Sequence, residues 1–281
     1  MEIVVLIVCL FIFSLVAIGF LKHPQSVYRD RPEEKNPFEG QKVQFVESEA
    51  DKVNADGVKG HLESIGTIEI KRNGYDIFCK RFLDVILSFF GLVLLSPIFL
   101  IVSILIVIDD PGPTLFSQKR VGKNKQFFQL HKFRSMKMST PKEVPTHMLA
   151  HPQSYITRVG RILRKTSLDE LPQLWDILIG NMSIIGPRPA LWNQDLLTAE
   201  RDKYFANECR PGLTGWAQIN GRDEIEIPDK AKLDGEYVKK LQAGGLQAFL
   251  FDCKCFFGTI LPVARGEGIV EGNNEIQRHK K

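Results

Sequence analysis

"FLDVILSFFGLVLLSPIFLIVSILIVI", residues Phe82 to Ile108, is the stretch on which the fold turns. It is long enough to span a hydrocarbon core, which takes about 20 apolar residues, yet Ser96-Pro97 stands near its middle. A proline inside a helix removes a hydrogen bond and clashes with the preceding turn, at about 3 kcal/mol. The flanks are basic on both sides, with Lys71, Arg72, Lys80 and Arg81 before and Lys119, Arg120, Lys123, Lys125, Lys132, Arg134 and Lys137 after. Lys and Arg collect in cytoplasmic loops, so both ends belong on the cytoplasmic side. A re-entrant helix over about 82–108, broken at Ser96-Pro97, that dips into one leaflet and returns meets both conditions. A straight span violates the charge rule and leaves everything after Ile108 outside. A buried helical hairpin in a soluble core is the alternative. Asp84 inside the run requires a headgroup position or a partner, and Arg81 is within reach on a helix.

Upstream, Ile3 to Leu21 carries no charge and begins after Glu2 rather than a basic residue. It has no small-residue cleavage site and is followed by Lys22, Arg29 and Arg31, which predicts an N-terminal transmembrane helix with its C-terminal end in the cytoplasm. Pro24 to Thr67 is polar with little apolar periodicity and reads as a linker, disordered in part. The expected organisation is an anchor over 1–22, a cytoplasmic linker over 23–74, the main domain over 75–265 and a C-terminal tail over 266–281. Of 281 residues, 25% are charged and 44% hydrophobic, ordinary for a globular chain, and a net charge of +4 does not call for nucleic acid. Five scattered cysteines without a CxxC pair fit a reducing compartment.

Downstream the pattern is globular. "LFSQKRVGKNKQFFQLHKFRSM", from Leu115 to Met136, alternates around "GKN" and predicts a cation-rich β-hairpin. Helices are expected at Ile156–Leu163, Leu171–Ile179 and Ala231–Leu241. An amphipathic helix at Leu246–Val263 would lie on the membrane surface. Arg210 to Arg222, "RPGLTGWAQINGR", reads as a loop or hairpin. The fold class is therefore α+β and helix-dominated: a membrane-associated domain with a re-entrant helix, small β-hairpin elements and an N-terminal transmembrane helix.

The chemistry concentrates in "RKTSLDELPQLWDILIGNMSIIGPRP", Arg164 to Pro189. Ser167-x-x-Glu170 matches a capping box, although Pro172 falls one position late for it. In either frame Asp169 and Glu170 lie at or just before a helix start. Adjacent residues on a helix point about 100° apart, which suits two tasks rather than one shared proton. An ionised aspartate can attack phosphorus without a base. Glu170 could then hold Mg²⁺, and Arg164, Arg188 and Arg222 could offer forked donors to a diphosphate. A capping glutamate beside surface arginines is the alternative.

Six motifs taken together, "KRFLDV", "LSPIF", "PGPTLFSQKRVG", "FFQLHKFRSM", the Arg164–Pro189 stretch and "RPGLTGWAQINGR", resemble the bacterial sugar transferases, the monotopic phosphoglycosyl transferases. The resemblance runs from about Lys80 to Asp252. It implies transfer of a sugar-1-phosphate from a UDP-sugar to undecaprenyl phosphate with release of UMP, with Mg²⁺ and a covalent phosphosugar–aspartate intermediate, as a step that initiates polysaccharide or glycoconjugate synthesis. By position, Asp169 would be the nucleophile and Glu170 its metal-binding neighbour. Lys132, Arg134, Arg164, Arg188, Gln218 and Arg222 would contact phosphates and nucleotide, and Ser96 and Pro97 would break the re-entrant helix. The expected location is the bacterial cytoplasmic membrane, among inner-membrane lipids, with the catalytic domain on the cytoplasmic face. Two copies could pair as a homodimer. A membrane-bound nucleotide-sugar or polyprenyl-diphosphate hydrolase and a non-catalytic scaffold of polysaccharide assembly are the competing functions. No residue names the sugar.

Overall fold

The computed structural model describes residues 10, 12–14, 18–19, 34–68, 73–140, 152–221 and 225–265. Most of the expected N-terminal anchor, and all of the tail after Arg265, lie outside these residues.

A π-helical turn, Tyr75–Cys79, leads into the long helix α1, Lys80–Asp109. The helix is not interrupted at Ser96-Pro97; Pro97 lies inside it. Proline's missing N–H would leave the carbonyl of Val93 without its helical partner. The Ser96 hydroxyl donates to that carbonyl at 2.7 Å, so the serine repairs the gap that its neighbour makes. Helix α1 buries one stripe along its whole length, through Asp84, Ser88, Leu92, Ser96, Phe99, Val102 and Ile106. The stripe recurs every three or four residues, the period of one helix face. Its far half packs with Leu115, Phe133 and Leu163.

The rest is a helix-rich α+β domain with, among the described residues, three two-stranded sheets. Strands β3 (Leu115–Val121) and β4 (Phe127–Phe133) form the expected antiparallel hairpin, pairing Leu115 with Phe133 and Val121 with Phe127. Helix α2 (Arg158–Lys165), a 3₁₀ turn at Leu168–Glu170 and helix α3 (Gln173–Ile179) follow. Strand β5 (Ser183–Ile185) pairs in parallel with β6 (Gly212–Thr214), across helix α4 (Asp195–Asp202). The Arg210–Arg222 segment therefore contributes a parallel strand and a short helix, α5 (Trp216–Ile219), rather than a hairpin. Helices α6 (Ile227–Ala243) and α7 (Gly245–Arg265) complete the domain. Asp252 of α7 is a buried hub that accepts from Tyr75 at 2.8 Å, Lys80 at 2.9 Å and Tyr237 at 3.0 Å.

The segment read as a linker contains a folded element. Strands β1 (Gln41–Glu47) and β2 (Gly60–Thr67) form an antiparallel hairpin that packs on α4. Its outer face is polar, so its apolar alternation is weak, and polar contacts with distant residues secure it. Asp202 at the end of α4 accepts from the backbone N–H of Val43 at 2.8 Å and from the fully buried Lys125 Nζ at 2.8 Å.

At the other end of α4, the hairpin's Asp56 accepts from the Leu197 N–H at 3.2 Å. Asp195 stands nearby, and burial, with Asp56 adding repulsion, pushes its carboxyl up to about 6. A carboxyl raised in the folded state is disfavoured there once ionised, so stability falls as pH rises from about 4 to about 6 and stays lower above that. Asp195→Asn is expected to stabilise the protein at pH 7.5 by on the order of 1 kcal/mol, allowing for solvent screening of a partly buried side chain. The gain should vanish in melts at pH 4.

Candidate active site

Four elements converge on Asp169 and Glu170. The carboxylates sit on the 3₁₀ turn, which Ser167 enters in the left-handed region (φ 55°) with no side-chain cap. The capping box is therefore not formed: Pro172 itself stands at the N-cap of α3, and Glu170 is turned toward cations instead. Strand β4 supplies Lys132, whose Nζ donates to Glu170 Oε1 at 3.0 Å. The loop after β5 supplies Arg188, whose Nη2 donates to the same oxygen at 2.7 Å. Helix α2 supplies Arg164, whose Nε donates to the Ser135 hydroxyl at 2.9 Å.

The Arg188 loop is held by backbone. Gly186 N–H donates to Thr214 O and Gly212 N–H to Pro187 O, each at 2.8 Å. A Cβ at Gly186 or Gly212 would collide with the opposing main chain, so the close approach of these loops requires glycine. From β3, Arg120 donates to Pro189 O at 3.0 Å and the Val121 N–H to Ala190 O at 3.0 Å.

The electrostatics separate the two carboxylates. Burial alone would raise Glu170, but Arg188 and Lys132 outweigh it and hold the carboxyl well below the usual range. Burial raises Asp169, which is 9% exposed; Lys132, Arg164 and Arg188 oppose that rise, and Glu170 adds to it. Among the described residues no hydrogen bond or ion pair engages the Asp169 side chain. Glu170 neutralises Lys132 and Arg188 by direct contact, while Asp169 stays unbound in the field of all three cations.

Of the remaining residues named from the sequence, only Arg134 is shown to be engaged away from this site. Arg134 is buried and donates to the carboxylate and carbonyl of Asp110, so it fastens the end of α1. Gln218 on α5 has both side-chain polar atoms buried without a partner, close to Gly215. Arg222 lies outside the described residues. Sequence reasoning missed Asp176, which is fully buried and accepts from the His131 N–H at 2.9 Å, with His131 Nδ1 2.7 Å from its other oxygen. His131 sits inside a motif read only for its lysine and arginine, and nothing in the sequence pairs it with a residue on another element.

Among the described residues no cluster of three or more His, Cys, Asp or Glu side chains could hold a metal ion. Mg²⁺ is often bound by one or two carboxylates together with substrate phosphates. Glu170 fits that donor set if Lys132 and Arg188 transfer from it to the phosphates.

The profile of the bacterial sugar transferase family matches residues 75–266. The chain is 35% identical over 203 residues to the exopolysaccharide production protein PSS of Rhizobium leguminosarum bv. phaseoli, covering 69% of this chain and 99% of that one. It is 35% identical over 195 residues to the UDP-glucose:undecaprenyl-phosphate glucose-1-phosphate transferase of Escherichia coli K12, covering 67% of this chain and 40% of that one. It is 33% identical over 199 residues to the UDP-N-acetylgalactosamine-undecaprenyl-phosphate N-acetylgalactosaminephosphotransferase of Aeromonas hydrophila, covering 68% and 45%. The chain thus spans less than half of the last two relatives.

Proposed function

The chain belongs to the bacterial sugar transferase family, and on that premise we propose that it transfers a sugar-1-phosphate from a UDP-sugar to undecaprenyl phosphate, releasing UMP. An Asp169 oxygen attacks the phosphorus that bears the sugar, and the bond from that phosphorus to the bridging oxygen breaks. UMP leaves with the bridging oxygen, and the sugar phosphate remains as an acyl phosphate on Asp169. A phosphate oxygen of undecaprenyl phosphate then attacks the same phosphorus, which forms the lipid diphosphate and returns the carboxylate. Lys132, Arg164 and Arg188 draw the diphosphate in and neutralise charge as it develops on the leaving UMP. Glu170 would hold Mg²⁺, which when bound supplies further neutralisation of the diphosphate oxygens.

The observation that carries this reading is the division of labour at the site: the cations grip Glu170 and leave the buried Asp169 free to act as a nucleophile. The names of the E. coli and Aeromonas relatives support the donor and acceptor classes. Those two relatives differ in their sugar at nearly equal identity, so identity does not select one here. The test is incubation of the purified protein with a panel of UDP-sugars, undecaprenyl phosphate and Mg²⁺. Acceptor-dependent UMP release with at least one sugar is expected. Acceptor-independent release beyond one UMP per protein would indicate a hydrolase, and no release with any sugar contradicts the proposal.

We further propose that α1 lies within one leaflet of the bacterial cytoplasmic membrane, with the domain on the cytoplasmic face. The segment Tyr75–Asp109 is long and apolar enough to cross a membrane. However, both ends of α1 are tied to the same polar domain. At the start, Asp84 accepts from Ser183 Oγ at 3.0 Å and the Ile184 N–H at 2.9 Å. At the end, Asp109 accepts from the Val159 N–H at 2.8 Å. Helix α1 exposes Phe82, Leu94, Ile101 and Ile108, and α7 exposes Leu246, Leu250 and Phe257. Leu94→Lys with Ile101→Lys should cost several kcal/mol of membrane binding. In a chain shortened to begin after the expected anchor at residue 22, flotation with phospholipid vesicles should then fall at least tenfold, and unchanged flotation would count against the embedding.

A further inference from the structure

We propose that Asp176 and His131 are positioning residues that set the Lys132–Glu170 contact; this rests on the transfer reading above. A lysine ammonium on a flexible four-carbon stem gains little from a carboxylate unless its backbone is fixed. Here the fixing falls on the adjacent residue. Asp176 grips His131 twice, through the main-chain N–H at 2.9 Å and through the ring Nδ1 at 2.7 Å. Asp176 is fully buried, and its main-chain carbonyl also accepts from the N–H groups of Asn181 at 3.0 Å and Met182 at 3.2 Å. Around it, Leu130 beside His131 packs with Ile177 and Met182 in one buried cluster. The clamp thus locks β4 to α3. Lys132 is the next residue on the β4 side, and the turn carrying Asp169 and Glu170 runs directly into α3 on the other.

A buried staple with no role beyond folding would make the same hydrogen bonds, so the test reads what a staple would not change. His131→Phe keeps a ring but loses the Nδ1 contact, and His131→Asn restores a side-chain donor. With the clamp acting through Lys132, His131→Phe lowers kcat about tenfold with KM for the UDP-sugar within threefold, and His131→Asn recovers most of it. In a Lys132→Met background, His131→Phe changes kcat by less than twofold, because the group it positions is gone. An undiminished loss in that background, or an Asn variant as poor as Phe, overturns the proposal.

One measurement is independent of turnover and therefore separates failure of this proposal from failure of the transfer reading. It is pulse acylation of the folded protein with acetic anhydride, followed by peptide mass spectrometry. His131→Phe should speed modification of Lys132 severalfold without changing Lys137, whose Nζ is bonded to Ser154 O at 2.8 Å. An unchanged rate at Lys132 overturns the clamp whether or not the protein turns over.

Discussion

Asp169→Asn is expected to abolish sugar-phosphate transfer, with a loss of about four orders of magnitude or more. An amide cannot form the acyl phosphate, and no neighbour can take its place. Glu170 is the nearest carboxylate, but one of its oxygens is occupied by both Lys132 and Arg188. The fold should survive. The Asp169 side chain makes no bond among the described residues, so the change should move stability by less than about 1 kcal/mol. Glu170→Gln should retain the nucleophile but release both cations, and its loss should be smaller. Steady-state UMP release beside a thermal melt checks both statements. Transfer by Asp169→Asn within tenfold of the parent would remove Asp169 from the reaction.

Asp202→Ala is expected to be the most damaging single change to stability, at about 3–5 kcal/mol. It would leave Lys125, which is fully buried, as an unpaired cation. Burial already lowers the Lys125 pKa, against the pull of Asp202, so without its partner the lysine must deprotonate or drag water inward. The same change also takes the acceptors from the Val43 N–H and from Asn207 Nδ2, the latter at 2.6 Å. The β1–β2 hairpin should therefore loosen first, visible as faster amide exchange at Val43. The double change Asp202→Leu with Lys125→Met should be milder than Asp202→Ala, since it removes the charge along with its partner. Urea melts of the three variants test this ordering, and a cost below 1 kcal/mol for Asp202→Ala would contradict it.

The β3–β4 hairpin was legible because short runs of mixed apolar and polar residues flank a Gly-Lys-Asn turn, and both signals are local. Helix α1 was legible as an apolar run, but its continuity was not. Pro97 predicts a break, and only the Ser96 hydroxyl on the Val93 carbonyl shows how the helix runs on. The N-terminal hairpin was misread as linker because its packing partner is a carboxylate 159 residues away from Val43. Asp169, Glu170, Lys132, Arg164 and Arg188 were nameable from motif and charge, and the structure brings them together. Arg134 carries the same charge in the same motif, yet it is spent on Asp110. Chemical type alone cannot separate an arginine that fastens a helix from one that faces a site. The His131–Asp176 clamp joins residues 45 apart on different elements, a pairing that no local pattern announces.

The most direct measurement is mass spectrometry of the Asp169 peptide after the protein meets a UDP-sugar without acceptor and is quenched in acid. A sugar-phosphate adduct on that aspartate, discharged when undecaprenyl phosphate is added before the quench, is the predicted result. Acceptor-dependent UMP release from a protein whose Asp169 peptide is never modified would contradict it.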